Sequence, residues 1–345
     1  MGVNSSQPTS QAKPHLGSLK VYLETPEVAP GDVVTGAIGL QLNETIGVNS
    51  LYIEFVGEIA SEFTESSSNS DGTTDETTYR EHKYITSFRC PIYQWPNEVR
   101  PGQYLLPFEL KVPLGLPSSF SFTRFSTRAS LSYKITCWLI PGIQDTVNLG
   151  IYQREAVMYQ SLKLRHSANL THCCFSKGTI SYSLELNKGS FFIGEDVELR
   201  INLDLTQARR WPTYLQGHIY FRVRLEAQGH SDVFAGKVAS SRVAVNQVEN
   251  VQTLTMLFRL HLEKFEQVAT LSTDLIKCNF YAFIEPIDPS SLTYHQFSFE
   301  LPLIVNSRIP FQPPPLPPSN WNPNQLNRSS IEFNDRDSVP GPSVS

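Results

Sequence analysis

Apolar side chains fall on every second residue in one segment after another of this chain. Leu51, Ile53 and Phe55 alternate with Tyr52 and Glu54, and the same spacing holds for Leu106, Phe108, Leu110 and Val112. It returns in Leu131, Tyr133, Ile135, Cys137 and Leu139, then in Val197, Leu199, Ile201, Leu203 and Leu205. Later segments repeat it: Ile219, Phe221, Val223 and Leu225; Leu254, Met256, Phe258, Leu260 and Leu262; Phe297, Phe299, Leu301 and Leu303. A strand with one buried and one wetted face produces this pattern, and two such sheets laid face to face bury all the apolar faces at once. No segment of comparable length shows helical periodicity. The composition agrees, with 20 Phe, 14 Tyr and 24 Pro against 3 Met in 345 residues, a balance that favours strands and turns over helices. An all-β fold is expected, and the length leaves room for two cores.

The chain also repeats itself. Pro30-Gly31-Asp32-Val33-Val34 precedes a strand around Ile38–Leu42, and Ile193-Gly194-Glu195-Asp196-Val197 precedes one around Leu199–Leu205, about 160 residues later. Each is followed by a second alternating strand, Leu51–Glu58 and Ile219–Glu226. Two tandem sandwiches of one topology follow. Between them, Tyr159–Cys174 reads as a hinge with the boundary near Leu170. Three segments read as unpacked: residues 1–17, the acidic Ser/Thr run Ser61–Thr78, and the Pro-, Ser- and Asn-rich stretch after about Pro310.

Composition excludes some functions. A formal charge of −5 and a pI near 5.9 argue against nucleic acid as a partner, because that binding is driven by clustered cations. No apolar run approaches the roughly 20 residues of a membrane span, and Met1–Pro8 lacks the apolar stretch of a secretory signal. The protein is expected on the cytosolic side. Five scattered cysteines (Cys90, Cys137, Cys173, Cys174, Cys278) contain no Cys-x-x-Cys pair, so reduced thiols are expected rather than disulfides or zinc. Asn43-Glu44-Thr45 and Asn169-Leu170-Thr171 then match the glycosylation pattern by chance.

Several stretches resemble the arrestin superfamily, and within it the arrestin-domain-containing (α-arrestin) branch. Leu19–Leu23 followed by Val28-Ala29-Pro30-Gly31-Asp32-Val33-Val34-Thr35-Gly36 is similar to the family's entry motif. Arg100–Leu110, with Pro101-Gly102 and Leu106-Pro107-Phe108, continues to Leu116-Pro117-Ser118-Ser119-Phe120 and resembles its central signature. His172-Cys173-Cys174-Phe175 with Gly178-Thr179-Ile180-Ser181 resembles the opening of its second domain. The resemblance covers residues 18 to about 306. It implies two tandem immunoglobulin-like antiparallel β-sandwiches, 18–168 and 169–308, between a flexible segment 1–17 and a disordered Pro-rich tail 309–345. It further implies a non-enzymatic adaptor or scaffold in membrane-protein trafficking, peripheral at the plasma membrane or endosomes. Its expected partners are cytosolic regions of receptors or transporters. WW-domain proteins, ubiquitin ligases among them, are further candidates, although no Pro-Pro-x-Tyr occurs.

The residues offer four candidate sites. Met1-Gly2-x-x-x-Ser6 fits N-myristoylation at Gly2, which would give weak, reversible membrane attachment; a chance match is the alternative. Pro313, Pro314, Pro315, Leu316, Pro317 and Pro318 fit a polyproline ligand for WW or Src-homology domains, or a stiff spacer. Ser66, Ser67, Ser68, Ser70, Thr73 and Thr74 beside Asp71, Asp75 and Glu76 suit an acidophilic kinase, or are a solvated hairpin loop. Cys173 and Cys174 are candidates for palmitoylation or for packing in the interdomain seam. His172 and Cys173, adjacent on an extended segment, point to opposite faces and cannot share a proton. With neither a Gly-rich phosphate loop nor a Gly-x-Ser-x-Gly elbow, no catalytic residue, metal or cofactor is expected. Three other readings stay open: a retromer-type sorting-coat subunit, an all-β small-ligand binder, which a deep apolar pocket would favour, and a hydrolase.

Overall fold

The computed structural model describes residues 16–68, 72–140, 142–152, 163–172, 175–186, 188–209, 211–260, 268–287, 300–306 and 322–331. Gly2, Ser70, Cys173, Cys174 and Pro313–Pro318 lie outside the described residues. Among those described there is no helix.

The first half contains β1 (Gly17–Leu23), β2 (Glu27–Val28), β3 (Val33–Leu42), β4 (Ser50–Ser68), β5 (Thr74–Gln94), β6 (Gly102–Lys111), β7 (Phe120–Arg124), β8 (Thr127–Ile140) and β9 (Ile143–Ile151). The second half contains β10 (Lys163–His172), β11 (Phe175–Leu186), β12 (Ser190–Phe192), β13 (Asp196–Asp204), β14 (Tyr214–Ala227), β15 (His230–Ala244), β16 (Val251–Arg259), β17 (Leu271–Ser272), β18 (Ile276–Ile287) and β19 (Glu300–Asn306). Two short strands close the described chain, β20 (Asn324–Gln325) and β21 (Ser329–Ile331).

These strands form two β-sandwiches built to one plan. The first stacks the sheet β1-β3-β6 on β2-β9-β8-β4-β5, with β7 beside β8; the second stacks β11-β13-β16 on β12-β19-β18-β14-β15, with β17 beside β18. Moving ten strands along the chain reproduces every pairing, down to the parallel pairs β2–β9 and β12–β19 in otherwise antiparallel neighbourhoods. The alternating residues identified from sequence are the cores: Leu131, Tyr133, Ile135, Cys137 and Leu139 are buried, and so are Val197, Leu199, Ile201, Leu203 and Leu205. Tyr133 is the largest of them; its ring stacks on Phe55 at 5.9 Å and its hydroxyl donates to the Pro117 carbonyl at 2.7 Å, so the core spends no polar group unpaired there.

The repeated turn is reproduced at the level of single bonds. Gly31 (φ 86°) and Gly194 (φ 92°) occupy the left-handed region that a side chain resists. Gly31 N donates to Val112 O and Gly194 N to Leu260 O, while Asp32 N donates to Ala29 O and Glu195 N to Phe192 O. The acidic side chain that follows each glycine accepts from the backbone three residues back, Asp32 from Ala29 N at 3.0 Å and Glu195 from Phe192 N at 2.9 Å. The two halves therefore share the chemistry of the turn as well as its position.

Three expectations need correction. The run Ser61–Thr78 is mostly paired rather than unpacked: β4 and β5 ladder from Ser50↔Gln94 out to Ser68↔Thr74. Phe63 and Ser61 on it are buried, because threonines and an alternating apolar residue suit a pleated surface better than composition suggested. The passage between halves also comes earlier than Leu170. β10 starts at Lys163 and pairs with β11 from Lys163↔Glu185 onward, so it is part of the second sandwich. Finally, residues 324–331 of the tail expected to be unpacked are docked. β20 and β21 run parallel to β6 through Asn324↔Tyr104 and Ser329↔Phe108, where Ile331 buries its side chain.

Candidate functional site

The seam between the sandwiches is where the sequence brings together groups that neither half assembles alone. The long β4–β5 hairpin of the first half lies against the β14–β15 turn of the second. That turn places Gln228 (φ 53°) and Gly229 (φ 80°) in the left-handed region, the backbone of a two-residue hairpin loop that glycine or asparagine usually supplies. The strained glutamine is held from across the seam. Its N–H donates to Glu81 Oε2 at 2.7 Å, and its side-chain Nε2 donates to the Arg80 carbonyl at 3.2 Å. The Gln228 N–H, followed by Lys83, holds the Glu81 carboxyl below its ordinary value. Beside it the Tyr79 ring stacks on His230 at 3.9 Å, and His230 Nδ1 sits 3.8 Å from Glu65 Oε2.

Deeper in the seam, Ser61 Oγ donates to the Glu226 carbonyl at 2.5 Å. Phe122, fully buried, sits 6.1 Å from Phe221 and 5.7 Å from Phe234, and Arg124 Nη1 donates to the Ala235 carbonyl at 3.2 Å. An apolar clasp inside and polar clasps at the rim thus join the halves. Next to them opens a groove of about 480 Å³, lined by Ala60 and Ala129 together with Ser61, Glu62, Arg80, Glu81, His82, Ser121, Thr123, Arg128 and Ser130. Arg80 and Glu62 pair at its rim at 3.0 Å. Its hydroxyls and mixed charges suit a polypeptide guest, whose own donors and acceptors they can satisfy. At the β7–β8 tip nearby, Phe125 (φ 52°) is 91% exposed, an anchor-type side chain with the Arg124 guanidinium 5.7 Å over its ring.

The sequence candidates are scattered. Ser66, Ser67, Ser68, Thr73 and Thr74 lie exposed at the far end of the β4–β5 hairpin, where Ser66 faces Glu76 and Ser67 faces Asp75 across the strands. They are not part of the seam groove. Gly2, Ser70, Pro313–Pro318, Cys173 and Cys174 fall outside the described residues. Of the remaining thiols, Cys137 and Cys278 are buried and Cys90 is partly so; burial, then the nearby Asp145, pushes the Cys137 thiol well above its usual range, the opposite of activation. Among the described residues no group of His, Cys, Asp and Glu side chains could hold a metal ion, and no helix is long and apolar enough to cross a membrane. The apolar pocket between Ile180, Tyr182, Ile201, Leu215 and Ile284 has a volume of about 20 Å³, room for one water rather than a ligand.

Sequence reasoning missed the seam contacts and the docked tail. The Gln228-Gly229 turn carried a weak signal, a Gln-Gly dipeptide between two alternating strands; Ser61 and Phe122 carried none, since their burial depends on the second sandwich.

Compared with known proteins, residues 19–140 match the family model for arrestin (or S-antigen), N-terminal domain. No curated protein matches the chain. The matched stretch runs from the first strand of the first sandwich to the end of β8, covering the Pro30-Gly31-Asp32 turn and the Leu106-Pro107-Phe108 strand that carried the resemblance. Residues 19–140, most of the first all-β sandwich, are thus similar to an arrestin N-terminal domain.

Proposed function

We propose that the protein is a non-enzymatic adaptor in membrane-protein trafficking, of the α-arrestin type, which holds cytosolic segments of a receptor or transporter and links them to sorting machinery at the plasma membrane or endosomes. The observation that carries this reading is the arrestin N-terminal match over residues 19–140 on a chain whose second half repeats the strand order of the first. The groove at the seam supports it, since it offers hydroxyls and both signs of charge to a peptide. In this reading Pro313–Pro318 recruits a WW or Src-homology partner, a ubiquitin ligase being one such, and a myristoyl group on Gly2 adds a weak membrane contact. Fold alone does not fix function, so the test must read partners.

Proximity labelling with the intact chain, with Gly2→Ala and with a chain ending before Pro310 supplies it. The reading expects membrane cargo and sorting factors around the intact chain, loss of membrane-proximal partners with Gly2→Ala, and loss of a separate set with the truncation. Identical sets in all three would remove the division of labour. A set without any membrane protein would remove the adaptor reading itself.

A further inference from the structure

The docked tail is held by few contacts. Leu326 N donates to Leu105 O at 2.9 Å, Ser329 Oγ donates to the Ile92 carbonyl on β5 at 2.6 Å, and Ile331 is buried. Arg328 Nη1 meets Glu109 Oε1 at 2.6 Å, and Ser330 Oγ donates to Glu109 Oε2 at 3.5 Å. β20 and β21 are two and three residues long, too short to stay paired without those anchors. Asn324, Gln325, Asn327, Arg328 and Ser330 are exposed. One carboxylate, Glu109, therefore holds both Arg328 and the most accessible hydroxyl of the strap.

We propose that Ser330 is a phosphorylation site and that its modification releases residues 324–331 from the edge of β6. The segment Asn327–Phe333 offers a kinase Arg328 two residues before the hydroxyl, Glu332 two after, and no proline. In the transfer, Ser330 Oγ bonds to the γ-phosphorus of ATP as the bond from that phosphorus to the bridging oxygen breaks. The hydroxyl proton passes to the kinase's base, and ADP leaves. The product carries a charge of about −1.5 to −2 and no longer donates from Oγ. Redocking would set it against the Glu109 carboxylate. Arg328 already holds Glu109 through Nη1, and one positive charge cannot neutralise a carboxylate and a near-dianionic phosphate together, so the group that anchors the strap becomes net repulsive. Ser329 is the poorer acceptor: it is half-buried and its hydroxyl is committed to Ile92.

The full chain with phosphoserine installed at position 330 by stop-codon suppression tests this, read by hydrogen exchange of the β6 amides between Tyr104 and Leu110. Those facing the strap are expected to exchange at least about tenfold faster than in the unmodified chain, while Ser330→Ala stays within about twofold. Glu109→Gln in the phosphoserine chain is expected to return most of the protection, because the neutral amide no longer repels. A phosphate captured in place by Arg328 or Lys111 would leave β6 protected, and that result overturns the proposal; so does failure of Glu109→Gln to restore it. Chain purified from eukaryotic cells under phosphatase inhibition should carry phosphate on Ser330 by mass spectrometry. Phosphate on Ser329 alone, or on neither, would count against the site.

Discussion

The two sandwiches are built alike and finished differently. In the first, the edge strand β6 is covered by the tail strands β20 and β21; in the second, the corresponding strand β16 has no pairing partner on its outer side among the described residues. At the opposite edge the second half gains β10 beside β11, while β1, the counterpart of β11, ends its sheet. An uncovered strand edge invites another chain. Duplication fixed the cores and turns of the two halves, and the added strands decided which edge of each stays open. Covering one edge with a strap while no described strand pairs with its counterpart gives the described residues two unequal places for an extended segment to pair. The hairpins differ as well. β4 and β5 run to 19 and 21 residues, β14 and β15 to 14 and 15, and the excess length of the first pair reaches over the turn of the second.

If that reach is what couples the halves, Phe122→Ala should do the most damage, since it empties a fully buried site between Phe221 and Phe234. A loss of about 3–5 kcal/mol is expected, with both halves melting at lower temperature; a calorimetric scan in which only the first half moved would break the idea of a shared core. Ser61→Ala should cost about 1–3 kcal/mol, because the Glu226 carbonyl loses its donor in a buried seam. Urea denaturation measures it, and an effect near zero would mean water replaces the hydroxyl.

The duplicated turns allow a paired measurement. Gly31→Ala and Gly194→Ala each force a side chain into the left-handed region, for about 1–2 kcal/mol apiece. The added Cβ at 194 meets nothing within 4 Å, whereas at 31 it would lie 2.7 Å from the end of the Leu114 side chain, which is exposed and can swing away. Nearly equal thermal shifts are expected. A much larger loss at one position would show that the turns are equivalent in shape but not in load.

The smallest effect expected is one of pH. His218 on β14 is buried, with Ser240 Oγ 3.1 Å from Nδ1 and Gln216 Nε2 3.1 Å from Nε2. Desolvation, then the positive charge of Lys237, holds its pKa below 6.5, against a smaller raising effect of Glu285. The unfolded chain therefore binds a proton first. The stability this group contributes is complete above about pH 6.5 and declines as pH falls from there toward the lowered folded value. Glu81, whose carboxyl is depressed, acts in a lower window: its contribution is present above 4.5 and is lost as pH falls further. Mild acidification should thus weaken the second half before the seam, and His218→Asn should flatten the upper part of the stability curve; a curve unchanged by that substitution would remove His218 from the account.

Most of the fold is legible in the sequence because one period carries it. Alternation marks the inward residues of β4, β8, β13 and β14 without any knowledge of partners, and the Gly31 and Gly194 turns mark the repeat. What stays hidden depends on contacts between distant parts. Ser61 looks like the start of an acidic loop until Glu226 arrives beside it. Ser329 and Ile331 look like tail until β6 offers an edge, since three residues of β-strand have too little pattern to stand out from a polar stretch. The candidate site suffers most from this, for a seam belongs to neither half and has no local period.

Hydrogen exchange on the intact chain and on one ending before Pro310 compares the two edges directly. Slow exchange is expected for the strap-facing amides of β6 and fast exchange for those on the outer side of β16, with truncation bringing β6 close to the β16 rate. Equal protection of both edges in the intact chain, or a β6 that stays protected without its tail, would contradict it.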